Sequence, residues 1–269
     1  GCSAATSACE KAGRWQPALA LLASMPELRI TPDLIGFSAA VSACAKGGRW
    51  QLALSLLGRL PELEIAPDVA TCNAAVSACE KGGQWQLAVA VLLSMPELRL
   101  RPSVVSYSAA VSASEKGARW QCGLRLLTAM AENHIRPNTI TCNAALSVCE
   151  KRRCWERALL LFGCAVARRI SADVVGFNAA VSACGKGGQW ELAFELLGSM
   201  PTFRCVPDAT SCSAAVSGCA VGGRWRLALL ALASAFELSV LPDAVNCNAA
   251  IGACKQRSRW RHVLALLAS

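Results

Sequence analysis

The sequence has little of what catalytic chemistry is usually built from. It holds two histidines, His134 and His262, with no recurring partners, and its 16 cysteines include no Cys-x-x-Cys pair. Zinc sites and zinc deaminases need such ligands at fixed spacing. No recurrent carboxylate cluster is present to hold a catalytic metal, so neither a metal, a cofactor nor an enzymatic activity is expected. Long apolar runs are also missing. Although 54% of the residues are hydrophobic, stretches free of charge stay short, as from Ala158 to Ala167 between Arg157 and Arg168. A bilayer-spanning helix needs about 20 apolar residues, so no membrane partner is expected. No charged-then-apolar leader opens the sequence, which excludes nothing if the chain is an excerpt.

What is present is repetition. All eight tryptophans, Trp15, Trp50, Trp85, Trp120, Trp155, Trp190, Trp225 and Trp260, stand 35 residues apart. A fixed period in this range is the signature of a solenoid, whose units bury their faces against their neighbours. The period divides the chain into a partial unit 1–33, complete units 34–68, 69–103, 104–138, 139–173, 174–208 and 209–243, and a partial unit 244–269. A single array cut from a longer one is therefore expected.

The cysteines follow the same period. One row is Cys9, Cys44, Cys79, Cys149, Cys184, Cys219 and Cys254, with Ser114 in the remaining unit. A second row holds Cys2, Cys72, Cys142, Cys212 and Cys247, with Phe37, Tyr107 and Phe177 as alternatives. A position that accepts Cys, Phe or Tyr is apolar, so these thiols read as small buried hydrophobes rather than a disulfide framework. Their number fits a reducing compartment.

Within a unit, Gly82-Gly83 separates two periodic segments, and Pro96 with Pro102 closes the unit, giving helix, turn, helix, loop. The second helix carries Trp85, Ala88, Leu92 and Met95 as one apolar stripe, and its tryptophans read as packing residues. In the first helix, Cys72, Ala75, Val76 and Cys79 share one side, while Ala70, Asn73, Ser77, Glu80 and Lys81 share the other. Followed through the repeats, the polar side gives Ser3, Ser38, Asn73, Ser108, Asn143, Asn178, Ser213 and Asn248 in one slot. Both residue types are poorer helix formers than the surrounding alanine. Below them run Ser7, Ser42, Ser77, Ser112, Ser147, Ser182 and Ser217. Lys11, Lys46, Lys81, Lys116, Lys151 and Lys186 lie at the helix ends. Glu10, Glu80, Glu115 and Glu150 read as solvated residues loosely paired with nearby lysines. A third row, Asp33, Asp68, Ser103, Asn138, Asp173, Asp208 and Asp243, precedes each first helix and is made of favoured N-cap residues. Capping explains that row; it does not explain why variation inside the helix is confined to Ser and Asn. With a net charge of +9, from 27 Lys and Arg against 18 Asp and Glu, a polar, basic groove suited to an anionic partner is expected.

The 35-residue period, two-helix unit, terminal Pro-Asp and early Asn/Ser slot resemble the pentatricopeptide repeat, and the tetratricopeptide repeat, at 34 residues, fits less well. The resemblance covers the whole chain. It implies an all-α, right-handed superhelical solenoid of helix-turn-helix repeats that binds single-stranded RNA at one base per repeat. It implies that bases are read by the pairs Ser3 with Asp33, Ser38 with Asp68, Asn73 with Ser103, Ser108 with Asn138, Asn143 with Asp173, Asn178 with Asp208 and Ser213 with Asp243, and by Asn248. The corresponding site is 5′-GGCAUUG-pyrimidine-3′. It also implies that Ile35, Ala70, Val105, Ile140, Val175, Thr210 and Val245 wedge between bases, Ala70 and Thr210 being the poorer wedges, and that the lysine row meets phosphates. Family habit places such proteins in mitochondria or chloroplasts, in RNA processing, stabilisation or translation control, with any chemistry supplied by a protein partner and with no small-molecule substrate.

Departures from the pattern are Val221 and Gln256 in the lysine row, Arg152-Arg153 in place of the Gly pair, and Ala172 in place of proline. The alternative is a protein-binding scaffold of the tetratricopeptide type. Its groove would be expected to carry apolar or aromatic anchors rather than Ser, Asn and Lys. A structural spacer ranks third, because it gives the Ser/Asn row no purpose.

Overall fold

The structure, a computed structural model, describes residues 2–25, 33–168, 170, 173–221, 226, 228, 248 and 251. Two compact units are present, residues 1–141 and 142–269. Among the described residues all regular structure is helical. In the first unit α1 (Cys2–Lys11), α3 (Leu34–Lys46), α5 (Val69–Lys81) and α7 (Val104–Lys116) are first helices, alternating with second helices α2 (Trp15–Ser24), α4 (Trp50–Arg59), α6 (Trp85–Ser94) and α8 (Trp120–Glu132). The helix α9 (Thr139–Lys151) spans the boundary between units. In the second unit follow α10 (Trp155–Ala167), α11 (Val174–Lys186), α12 (Trp190–Ser199) and α13 (Ala209–Val221).

Local sequence sets both ends of the first helix. Asp33, Asp68, Ser103, Asp173 and Asp208 each accept a hydrogen bond from the backbone N–H three residues on, as in Thr71 N to Asp68 Oδ1 at 2.7 Å. Such a cap contributes about 1 kcal/mol. At the other end, Gly48 and Gly83 take φ of 68° and 69°. The following N–H groups, from Arg49 and Gln84, reach back to the carbonyls of Cys44 and Cys79 at 2.9 and 2.8 Å. This is the Schellman closure, and glycine adopts its left-handed residue without strain. Ala118 and Arg153 occupy the same place at φ 51° and 56° with a Cβ.

The first glycine of each pair has a different cause. At Gly82, whose φ is −78°, a Cβ would lie 2.2 Å from Cδ1 of Trp50; at Gly47, Gly117 and Gly187 it would lie 2.4 to 2.5 Å from the same atom of Trp15, Trp85 and Trp155. At these four joints the indole of one repeat thus lies on the turn of the next, as the packing reading of the tryptophans expects. Arg49 and Arg119 stack over Trp15 and Trp85 at 5.0 and 5.4 Å, adding a cation–π contact to the same joint.

Within the first unit, α1, α3, α5 and α7 pack in succession, each also against its own second helix; in the second unit α11 packs on α12 and α13. The core of the first unit joins Leu22, Met25, Phe37, Val41, Cys44, Ala53 and Leu60. That of the second joins Leu146, Phe162, Phe177, Val181, Cys184, Leu197 and Met200. Cys72, Ala75, Val76 and Cys79 are fully buried, as the helical periodicity expects. Burial pushes the thiols of Cys72, Cys79, Cys149, Cys184 and Cys219 up to about 11, with Asp68 adding to the effect at Cys72. They are inert packing groups. Ser114, the exception in the cysteine row, is also buried, and its hydroxyl donates to the Ala110 carbonyl at 3.0 Å. Among the described residues no helix is long and apolar enough to cross a membrane.

Candidate nucleic-acid interface

Several slot residues and N-caps, 30 positions apart in sequence, are brought into contact by the packing of first helices side by side. Ser3 Oγ donates to the Asp33 carboxylate at 2.9 and 3.0 Å. Asn143 Nδ2 donates to both oxygens of Asp173 at 2.9 and 3.0 Å, and Asn178 Nδ2 to those of Asp208 at 3.1 and 3.4 Å. Ser108 Oγ donates to Asn138 Oδ1 at 3.3 Å and to the Val104 carbonyl at 2.7 Å. The N-cap row therefore has two duties. One oxygen of Asp33, Asp173 or Asp208 closes the following helix, and the carboxylate as a whole faces the Ser or Asn of the preceding repeat.

A third position in this arrangement was not singled out from the sequence. It is the third residue of the first helix: Gly36, Thr71, Ser106, Thr141, Gly176 and Ser211. Where it is glycine, the slot residue bonds directly to the aspartate, as at Ser3 and Asn143. A Cβ on Gly176 would approach Asn143 Oδ1 to 2.8 Å. Where it carries a hydroxyl, that hydroxyl joins the set, and at Asn178 with Asp208 and Ser108 with Asn138 the direct contact is kept beside it. Ser106 donates to Asn73 Oδ1 at 2.6 Å, and Ser211 donates to Asn178 Oδ1. Thr141 and Ser108 share a hydrogen bond at 2.6 Å, and Thr71 donates to Asp68 at 2.6 Å. Ser38 makes no hydrogen bond to Asp68 among the described residues. Thr71, Ser106, Thr141 and Ser211 are among the few fully buried polar residues, and buried polar groups require partners. The signal available in the sequence was that these six positions hold only Gly, Ser or Thr, with Asn246 at the same place in the last, partial unit.

Asp208 has the densest set of contacts. Burial raises its carboxyl, but hydrogen bonds from Thr210, Ser211 and Asn178 outweigh that and hold it below the ordinary carboxylate range. Thr210, expected as a wedge, is exposed, but its hydroxyl donates to Asp208 at 2.6 Å and accepts from Asn178. The other wedge positions stand clear of the fold. Ile35, Val105, Ile140 and Val175 are 60 to 65% exposed, and Ala70 is exposed as well. These β-branched side chains face water at the same place in their helices and bury little on folding. Asn248 is exposed; Asp243 and Val245 lie outside the described residues.

The lysines are exposed at the first-helix ends, and several have an acidic neighbour in the preceding repeat. Lys46 Nζ lies 3.4 Å from Glu10 Oε1 and donates to the Glu10 carbonyl at 3.0 Å. Lys116 pairs with Glu80 at 3.1 Å and Lys186 with Glu150 at 2.6 Å. Ser42 and Ser182 donate to the same glutamates at 2.8 Å. The loose pairing read from the sequence is thus a repeated Lys-Glu-Ser contact between repeats. Among the described residues no three His, Cys, Asp or Glu side chains gather as a metal site would require.

A pentatricopeptide repeat domain profile matches residues 55–115, and the pentatricopeptide repeat profile matches residues 36–65 and 175–205. No curated protein matches the sequence significantly. Among solved structures, the pentatricopeptide repeat protein PPR10 from maize aligns over 100% of this chain and 38% of its own, with 23% identity and a TM-score of 0.78. PPR10 in complex with an 18-nucleotide psaJ RNA element aligns over 99% and 39%, with 18% identity and a TM-score of 0.82. The pentatricopeptide repeat domain of Arabidopsis thaliana protein-only RNase P 1, in complex with tRNA, covers 58% of this chain and 82% of its own, with 14% identity and a TM-score of 0.53. The present chain spans under two fifths of the PPR10 chain, and at these identities the likeness establishes the all-α solenoid fold. Profile matches fall in both compact units, so the chain carries pentatricopeptide repeats within residues 36–115 and 175–205, in the 35-residue register that runs through the sequence.

Proposed function

We propose that residues 1–269 form a single non-catalytic array that binds single-stranded RNA in a sequence-specific way, one base per repeat, with 5′-GGCAUUG-pyrimidine-3′ as its site. The observation that carries this reading is the repeated set of a Ser/Asn and N-cap pair in mutual contact beside an exposed aliphatic residue. In the repeat joining Asn143 to Asp173, for example, the pair is bonded at 2.9 Å and Val175 stands 60% exposed two residues on. An amide or hydroxyl can donate or accept, whereas a carboxylate accepts only. The two together define a pattern for one base edge, and a flat aliphatic surface suits a base face. That PPR10 was crystallised with RNA and the RNase P domain with tRNA supports an RNA partner. The biological setting we infer is organellar RNA processing, stabilisation or translation control, with any cleavage or editing performed by a protein partner.

The exposed Ile35, Val105, Ile140 and Val175 are also the groups a protein-binding scaffold would use as anchors. One experiment separates the readings: titration of labelled GGCAUUGU RNA, a scrambled RNA of equal length and the matching single-stranded DNA. Preference for the matched RNA supports the proposal. Equal, salt-sensitive binding of all three reduces it to a non-specific basic groove, and binding of none leaves the scaffold.

A further inference from the structure

From Lys11 to Lys186 the lysine row is unbroken in sequence, yet its members differ in charge environment. Lys46, Lys116 and Lys186 each face a glutamate from the preceding repeat, Glu10, Glu80 and Glu150. Lys81 occupies the same place at the end of α5, but the position that would hold its glutamate is Ala45, which is buried at the end of α3. Lys81 is exposed and makes no ion pair or hydrogen bond among the described residues. We infer that Lys81 is a dedicated phosphate-binding residue of the array, and that Lys46, Lys116 and Lys186 are not, because each is neutralised across its repeat joint. The inference deepens the nucleic-acid reading above and rests on it.

The reasoning concerns net charge rather than the strength of the ion pairs. These pairs are roughly half exposed on the lysine side, at 44 to 46%, and exposed pairs contribute little stability. A lysine held 2.6 to 3.4 Å from a carboxylate nevertheless presents a phosphate with a dipole instead of a unit charge. The attraction of a dipole falls off faster with distance, and salt screens what remains within about 8 Å. The carboxylates are kept in place: Ser42 and Ser182 donate to Glu10 and Glu150 from the side, and the Glu10 backbone also accepts from Lys46. A phosphate approaching Lys46 or Lys186 would therefore meet that carboxylate as well. At Lys81 it would meet only the ammonium.

The number of counterions released on binding reports how many cations engage phosphates, and for single strands each contributes about 0.7 to the slope of log K against log salt. The test measures this slope for the wild-type chain, K81A, K46A and E80Q, with GGCAUUGU and with a scrambled RNA. K81A is expected to flatten the slope by about 0.7, so that between 50 and 200 mM salt it loses about 2.6-fold less affinity than wild type. K46A should leave the slope unchanged, and E80Q should steepen it by about 0.7 by releasing Lys116. Equal flattening by K46A and K81A, or no change in E80Q, would overturn the inference. Because phosphate contacts are blind to sequence, the expected pattern on both RNAs sustains the role of Lys81 even if the two RNAs bind equally, which would count against base readout alone. Failure of the wild-type chain to bind either RNA would overturn the nucleic-acid reading and this inference with it.

Discussion

Replacing Gly82 by alanine sets two ordinary expectations against each other. Gly82 has a right-handed backbone with φ −78° at the end of α5, where helix propensity alone favours alanine by up to about 1 kcal/mol. The Cβ would however lie 2.2 Å from Cδ1 of Trp50, 2.8 Å from Cγ and 3.0 Å from Nε1. These are atoms of a rigid ring, not the end of a flexible chain, so the repeat joint itself must open. Overpacking of this kind costs about 1–3 kcal/mol, and the packing effect should win. Gly82→Ala is expected to be destabilising by about 1–2 kcal/mol, read as a lowered urea midpoint. The partner is named, so a double-mutant cycle can isolate the cause. In a Trp50→Ala background the same substitution should become neutral or slightly stabilising. A Gly82→Ala chain as stable as wild type, or one equally destabilised whether or not Trp50 is present, would refute the view that the indole dictates the glycine.

Other consequences follow from the same geometry. Ala118 holds φ 51° at the place taken by Gly13, Gly48, Gly83 and Gly188 in other repeats, and left-handed backbone costs a residue with a Cβ about 1–2 kcal/mol. Ala118→Gly should therefore stabilise the chain by about 1 kcal/mol, visible as a raised urea midpoint. The buried thiols titrate at about 11 in the folded chain against an ordinary value of 9.0. The unfolded chain thus loses these protons first, so stability should hold below pH 9 and fall as pH rises towards 11. Cys79→Ala should weaken that dependence in denaturation series at different pH. In the native chain, iodoacetamide should label exposed Cys164 while sparing Cys72, Cys79 and Cys184; uniform labelling of all four would contradict their burial.

The fold was largely legible because a repeat states its own register eight times. Once Trp50, Trp85 and Trp120 fixed the spacing, the helix starts at Val69, Trp85, Val104 and Trp120 followed from caps and glycines. The reading of Cys72, Ala75, Val76 and Cys79 as one buried face needed only the helical period. What stayed hidden lies between repeats. The sequence shows that Gly82 is glycine but not that Trp50 of the preceding repeat covers it. Likewise, Ser106 and Ser211 look like ordinary residues of a first turn until the neighbouring helix brings Asn73 and Asn178 to them. The lysine row misled in the opposite direction: identical residues have different charge environments because the deciding partner sits 36 positions earlier, as Glu10 does for Lys46. Thr210, weak as a wedge on its composition, belongs as much to the hydrogen-bonded set around Asp208.

The central claim, that the Ser/Asn and Asp rows read bases, is tested most directly by changing one reader and one base together. Affinities of the wild-type chain and of Asn143→Ser are compared for GGCAUUGU and for GGCAGUGU, which differ only at the fifth base. The account predicts crossed preferences, with U favoured at that position by wild type and G by the variant. The same preference from both proteins would mean that Asn143 and Asp173, despite their mutual contact at 2.9 Å, do not read that base.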